Sequence, residues 1–210
     1  MKNEKESKER GMGENLEREW DAEPHAGVLW DALEMAENDI SAALEMMEDL
    51  AEKGSALAMM YLGNSYNFGN YGLEPNQELA DSWLRRSARL GSIEGSFEFA
   101  RRKEIEGDYE LAEIEFRRLA DRQFPPALYV LGRQHRHGGW LKQDTEKSIE
   151  FLEKAEKLGH FHAQHMLRYI HTHEKSGVAN KVRGWVKFAT MLIPFLRYSV
   201  NYPNSDRLRM

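Results

Sequence analysis

Residues 51–91 read AEKGSALAMMYLGNSYNFGNYGLEPNQELADSWLRRSARLG, which is a helix, a glycine-rich turn and a second helix, followed by the start of the same pattern. Apolar residues recur at helical spacing in both helical runs. Gly54 and Gly91 each end such a run, as is common at helix C-termini. The stretch therefore predicts a repeating unit of two helices, and degenerate copies of it lie on both sides.

The copies align on their first residues, which are Gly54, Gly91, Gln123 and Gly159, spaced 37, 32 and 36 residues apart. The fourth residue past each start is small: Ala58, Gly95, Ala127 and Ala163. The eighth is large and apolar: Leu62, Phe99, Leu131 and Leu167. The ninth is small in Gly63, Ala100 and Gly132 but not in Arg168. Small residues let helix backbones approach, and a period of this length is typical of helical repeat proteins.

The pattern predicts about five antiparallel helix pairs. The expected helices cover residues 28–36 and 40–51, 56–68 and 77–90, 93–105 and 109–122, 126–137 and 145–158, and 161–174 and 181–200. Asn76 and Asp144 stand where an N-cap is needed. We predict four regions: an acidic, disordered or partly helical segment (1–23), the repeats (24–177), an amphipathic helix (178–200) and a tail (201–210).

Composition sets further bounds on the chain of 210 residues. It contains no Cys, which excludes disulfides, thiolate metal sites and cysteine nucleophiles. The net charge of −6 is uneven, because residues 1–52 hold 16 acidic and 5 basic side chains. The N-terminus lacks the apolar run of a signal peptide, so we expect a cytoplasmic protein, with a peripheral membrane location as the alternative.

Two stretches carry a family resemblance. Residues 58–91, AMMYLGNSYNFGNYGLEPNQELADSWLRRSARLG, and residues 127–159, ALYVLGRQHRHGGWLKQDTEKSIEFLEKAEKLG, resemble Sel1-like repeats, which are related to the tetratricopeptide repeat. The unit from Gly91 departs by a shorter loop, and the unit from Gly159 lacks the small residue at Arg168. The resemblance implies an all-α, right-handed α/α solenoid used for protein–protein interaction, without catalytic residues.

The resemblance also implies a groove lined by the first helix of each pair. Its columns lie three, six, ten and thirteen residues past each start. From them we predict these partner-binding residues: Met60, Asn64, Asn67, Phe97, Arg101, Tyr129, Arg133, Arg136, His165 and Tyr169. Asn amides and Arg guanidinium groups would bind carboxylates, and the aromatic rings would give contact area, so an acidic peptide segment is the expected partner. The alternative is a merely solvated helix face.

The run 181–200 is the most hydrophobic part of the chain, and three interpretations of it stay open. It caps the last repeat, it forms a self-association surface that makes an oligomer, or it lies on a membrane surface. The residues for the last two interpretations are Trp185, Phe188, Met191 and Phe195. The run is too short and too interrupted by charge and proline to span a bilayer.

Other functional classes find less support. Seven of the eight His lie between residues 135 and 173, and His162 and His165 share one helical face, but no acidic residue completes a metal site. Packing explains His135 better, because Tyr66 occupies the same repeat column. The chain shows no phosphate loop, no metalloprotease His-Glu pair and no distinctive acid–base carboxylates. Basic clusters in residues 85–136 are nearly balanced by acids, so nucleic acid is an unlikely partner.

The sequence thus predicts a non-enzymatic scaffold or adaptor that needs no cofactor and holds a partner segment in its groove. The alternative is a peripheral membrane scaffold anchored by its C-terminal helix.

Overall fold

The computed structural model describes residues 13–174 and residues 199 and 206, and the regular structure in residues 13–174 is helical throughout. The α-helices there are α1 (Glu14–Ala22), α2 (Ala26–Met35), α3 (Ile40–Glu52), α4 (Ala56–Phe68), α5 (Gln77–Arg89), α6 (Ile93–Glu106), α7 (Tyr109–Asp121), α8 (Pro125–His137), α9 (Thr145–Lys157) and α10 (Phe161–Glu174). A short 3₁₀ turn, Asn70–Gly72, follows α4. The predicted all-α class is confirmed for these residues, and the predicted helix bounds agree within about two residues.

The chain divides into two compact units. Of the described residues, 15–115 form the N-terminal unit and 116–174 belong to the C-terminal unit. The interior of the N-terminal unit contains the fully buried side chains of Leu29, Met47, Leu50, Leu57, Leu62, Leu84 and Phe97. The core cluster of the C-terminal unit comprises Leu128, Tyr129, Leu152, Ala155, Ala163, Leu167 and Ile170. Each core is formed by the apolar faces of consecutive helices.

The repeat starts share one backbone conformation. Gly54, Gly91 and Gly159 have φ of 92°, 91° and 83°, and Gln123 takes the same left-handed conformation with φ of 58°. In each case the following N–H donates to a carbonyl five residues earlier, as in Phe124 N to Leu119 O at 3.1 Å. This bond closes the C-terminus of the preceding helix. Gln123 therefore adopts the left-handed conformation that glycine has at the other three repeat starts. This equivalence supports the alignment of the repeats made from the sequence.

The predicted N-caps are confirmed. Asn76 Oδ1 accepts from Leu79 N at 3.0 Å, and Asp144 Oδ1 accepts from Lys147 N at 3.0 Å. The backbone N–H groups of the two caps close their loops in the same way. Asn76 N donates to Tyr66 O at 2.9 Å, and Asp144 N donates to His135 O at 2.8 Å. Two loops that differ in sequence and length are thus closed by equivalent hydrogen bonds.

The N-terminal segment contains a helix of nine residues, α1, where the sequence predicted a disordered or partly helical region. Its Asn15 and Trp20 are buried. The segment has too few apolar residues to form a core of its own, so tertiary contacts must supply its order. The predicted regions 178–200 and 201–210 lie outside the part of the chain that the structure describes, apart from two single residues.

Candidate functional site

A groove of about 440 Å³ lies between α8 and α10 in the C-terminal unit. Its lining combines aromatic, imidazole, guanidinium and thioether side chains, namely Tyr129, Arg136, His137, His162, His165, Met166 and Tyr169. We refer to these seven residues as the Tyr–His groove. The helices α8 and α10 are the first helices of two successive repeats, so the repeat pattern itself places them side by side.

The α8 side of the groove is built on Tyr129. Its ring stacks on His160 with ring centroids 4.8 Å apart and lies 5.8 Å from the ring of His162. Burial raises the pKa of the Tyr129 phenol above its ordinary value, while the nearby positive charge of Arg133 opposes that increase. Tyr129 therefore stays a neutral hydroxyl at physiological pH. Arg136 lies seven residues further on the same helical face and adds positive charge.

The α10 side follows from the helical spacing of His162, His165 and Tyr169. The Tyr169 side chain is 51% exposed, although it is large and aromatic. Before this helix, His160 acts as a buried cap, because its Nδ1 accepts from Ala163 N at 3.3 Å. The cap fixes the imidazole ring beneath Tyr129. The groove thus has a rigid aromatic floor and an accessible aromatic wall.

The side chains of this arrangement are suited to binding. Tyrosine and arginine give large contact area and directional hydrogen bonds. Among the lining residues of this described unit none is acidic.

Four of the predicted partner-binding residues come together here: Tyr129, Arg136, His165 and Tyr169. Arg133 is half-buried beside them and does not line the groove. The repeat columns therefore do bring side chains of successive first helices to one face.

The predicted residues of the N-terminal unit are placed differently. The side chains of Met60 and Phe97 are 4% and 0% exposed, so they lie in the interior of the unit. Asn67 Oδ1 accepts from Arg102 Nη1 at 2.7 Å and is thereby engaged within the protein. Asn64 is half-buried, whereas Arg101 is exposed on α6. Of these five residues, Met60 and Phe97 are therefore closed to solvent, whereas Arg101 is open to it.

The predicted set of partner-binding residues lacks three lining residues, His137, His162 and Met166. His162 lies in one of the predicted columns, three residues past its start. His137 and Met166 follow predicted lining residues directly in sequence. A helical face spans more than one residue per turn, so a wider stripe around each column would have included them.

The predicted membrane or self-association residues Trp185, Phe188, Met191 and Phe195 lie outside the described residues. Within residues 13–174 no helix is both long enough and apolar enough to span a bilayer. The same residues contain no group of three or more His, Asp or Glu side chains arranged to hold a metal ion. His135 packs its ring on Phe151, with centroids 5.8 Å apart.

Comparisons with known proteins agree with this geometry. The family model described as Sel1 repeat matches residues 56–92 and 125–160. A Sel1 repeat protein from Oxalobacter formigenes superposes with a TM-score of 0.66 at 15% identity, covering 80% of this chain and 74% of that one. A protective antigen of uropathogenic Escherichia coli with an SLR fold gives 0.55 at 28% identity, covering 61% of this chain. A search of curated protein sequences gave no match.

The chain spans only 28% of that antigen's length. An immunity protein from Pseudomonas aeruginosa also superposes, with a TM-score of 0.50 at 19% identity over 71% of this chain and 59% of its own.

The fold is therefore that of a helical repeat protein of the α/α solenoid class. Within that class, the two stretches 56–92 and 125–160 match the Sel1 repeat model, one in each compact unit. Proteins of this family generally act as scaffolds for protein–protein interaction.

Proposed function

We propose that the chain is an interaction scaffold that holds an acidic segment of a protein partner in the Tyr–His groove. The observation that carries the proposal is the lining itself, which combines two tyrosines, three histidines and an arginine on two adjacent repeat helices. Tyr169 contributes contact area that remains largely exposed in the isolated chain. Such side chains dominate the energetics of protein interfaces.

The charge of the groove favours an acidic partner. Arg136 presents a guanidinium group, whose fork matches a carboxylate. The Tyr129 hydroxyl and the imidazole groups add further hydrogen-bonding groups around it. A carboxylate flanked by apolar or aromatic residues would therefore satisfy both the charge and the flat surfaces. The membrane-associated alternative is supported only by the amino-acid sequence of residues 181–200.

Site-specific photo-crosslinking tests this proposal. A benzophenone amino acid replaces Tyr169 in the full-length chain, and a matched chain carries it at the exposed Ile114 of α7. In lysate of the source cell we expect a discrete adduct from position 169 and not from position 114. Mass spectrometry of the adduct should give an acidic segment.

Binding of the synthetic segment then quantifies the contribution of charge. Arg136→Glu should weaken binding at least about tenfold, because it reverses the charge beside the carboxylate. Arg89→Glu, an equal charge change on the exposed end of α5, should leave the affinity unchanged. Equal labelling from positions 169 and 114, or full binding by the Arg136→Glu chain, would reject the groove.

A further inference from the structure

The N-terminal unit binds a segment of its own chain through a second surface. Ser55 and Ser92 occupy the same repeat column, one residue past each start, and each caps a first helix. Both hydroxyls also donate onward to a glutamate of the N-terminal segment. Ser55 Oγ donates to Glu23 Oε2 at 2.8 Å, and Ser92 Oγ donates to Glu19 Oε2 at 2.6 Å. Two successive repeats therefore bind two carboxylates four residues apart.

The Glu19 carboxylate lies directly at the N-terminus of α6. Its Oε1 accepts from Ile93 N at 2.7 Å and from Glu94 N at 3.1 Å, in addition to the bond from the serine. The first N–H groups of a helix have no partners within the helix and carry a partial positive charge. The carboxylate of α1 satisfies them, so α1 acts as a ligand of the repeat.

Between the two glutamates, Trp20 provides an apolar anchor. It is 5% exposed, and its Nε1 donates to the hydroxyl of Tyr61 at 3.2 Å. Its ring meets the edge of Trp30 with centroids 5.8 Å apart. Asn15, one turn earlier, donates from Nδ2 to Glu94 Oε1 at 3.0 Å. Burial of an indole with a satisfied N–H is typical of an interface hot spot.

We propose that this surface is a binding site for acidic helical segments with the pattern Glu-Trp-x-x-Glu, and that α1 is its exchangeable occupant within the chain. The surface comprises Ser55, Tyr61, Ser92 and the N-terminus of α6. A helix of nine residues is not stable alone in water, so α1 owes its form to docking. A partner protein that offers the same pattern with additional contacts displaces it.

The short link from Ala22 to Ala26 tethers α1 beside its site. Tethering gives an effective concentration in the millimolar range, so the site is closed to weak competitors. The site becomes accessible when α1 loses the contacts of Glu19 and Trp20, or when a partner segment that binds more tightly displaces α1. This inference concerns the N-terminal unit and does not rest on the function proposed for the Tyr–His groove.

A peptide with the sequence of residues 13–25, labelled with a fluorophore, is the probe. The full-length chain with Glu19→Ala and Trp20→Ala, whose α1 cannot dock, should bind the peptide with a Kd of about 1 mM or tighter. The wild-type chain should bind at least about tenfold more weakly, because α1 competes. Asp21→Ala, an equal loss of charge on the exposed side of α1, should behave as the wild type does.

A third substitution locates the site. Ser92→Ala added to the Glu19→Ala, Trp20→Ala chain should abolish peptide binding. Asn76→Ala in the same background removes a cap from α5 and should leave binding intact. Circular dichroism first establishes that each variant is folded.

Three results would overturn the inference. The first is a folded, undocked chain that shows no binding at about 1 mM peptide. The second is binding that survives Ser92→Ala. The third is a wild-type dimer in light scattering that disappears with Glu19→Ala and Trp20→Ala, because the occupant would then be α1 of a second copy.

Discussion

The residue at each repeat start has a left-handed backbone conformation. This conformation has no steric cost for the three glycines, but it has one for Gln123. With φ of 58°, Gln123 places its Cβ near the following carbonyl group, which costs about 1 kcal/mol in an L residue. The turn keeps this conformation because the bond from Phe124 N to Leu119 O closes α7. Gln123 is thus a site where the repeat geometry outweighs the preference of the residue.

Gln123→Gly should raise the free energy of unfolding by about 0.5 to 1 kcal/mol, since relief of strain exceeds the added freedom of the unfolded chain. Urea denaturation followed by circular dichroism measures the change. Arg122→Gly, one residue earlier and at negative φ, should instead lower stability. A Gln123→Gly chain no more stable than wild type would contradict the strain argument.

Gly63 permits the close approach of α4 and α5. A Cβ at this position would lie 2.6 Å from Leu84 Cγ and 3.2 Å from Leu84 N. Gly63→Ala should therefore destabilise the protein by about 1 to 2 kcal/mol, as an overpacked core position does, despite the higher helix propensity of alanine. Thermal unfolding measures it.

Gly27 of α2 is the matched control for Gly63, because a Cβ there meets nothing within 4 Å. Gly27→Ala should leave stability equal or slightly higher. If the two substitutions had the same effect, helix propensity alone would explain both.

Asp144 links the stability of α9 to pH. The hydrogen bond from Lys147 N lowers the pKa of the Asp144 carboxyl below its ordinary value. A depressed folded pKa gives stability that is present above the unfolded pKa and is lost as pH falls through the folded pKa. Asp144→Asn keeps the cap and removes the titration.

The prediction is that the stability difference between wild type and Asp144→Asn favours wild type near pH 6 and shrinks or reverses near pH 2. Urea unfolding at both pH values measures the difference. A difference that does not change with pH would show that the cap is not charged.

At the scale of elements, α6 is joined to α5 by a buried cationic network. Arg102 is 4% exposed and donates to the Asn67 and Gln77 side chains. Its guanidinium also pairs with Glu106, and Lys103 pairs with both Glu106 and Asp81. These bonds connect the end of α4, the first part of α5 and the C-terminal end of α6, so this part of the N-terminal unit is polar yet tightly ordered.

Arg102→Ala should cost about 2 kcal/mol, because it removes a buried side chain together with its hydrogen bonds to Asn67 and Gln77. Arg101→Ala, the exposed neighbour on the same helix, should cost less than about 0.5 kcal/mol. Equilibrium urea denaturation of both variants distinguishes them. Equal losses of stability in the two variants would mean that the network of Arg102 contributes no more to stability than the exposed side chain of Arg101 does.

At the scale of the whole molecule, each compact unit has its own surface. The C-terminal unit has the Tyr–His groove, whereas in the N-terminal unit Glu94 is 2% exposed and binds Asn15 of α1. The two surfaces differ in what they present. The groove offers side chains of first helices, and the α1 site offers the N-termini of such helices.

The two sites should act independently. Arg136→Glu should weaken binding of a partner segment to the groove and leave unchanged the binding of the residue 13–25 peptide to the Glu19→Ala, Trp20→Ala chain. Ser92→Ala should abolish binding of the residue 13–25 peptide to that chain and leave unchanged the binding of the partner segment to the groove. Two labelled probes in one fluorescence titration would show this. Loss of both activities with either substitution would indicate a single site.

The sequence by itself determined the local structure. Helix bounds, caps and repeat starts follow from residues within one unit, such as Asn76 and Gly54, because capping and left-handed turns depend on neighbours a few positions away. The columns also placed Tyr129, Arg136, His165 and Tyr169 on one face.

Only the tertiary structure decided which of those faces is open. Met60 and Phe97 share a column with the exposed His165 by sequence, yet they lie in the interior of their unit. Nothing local to α1 predicts that Glu19 reaches Ile93 across 74 positions of sequence. Burial and long-range hydrogen bonds depend on which distant segment packs against a residue. A periodic pattern reflects only the residues that are close to it along the chain, so it does not predict these contacts.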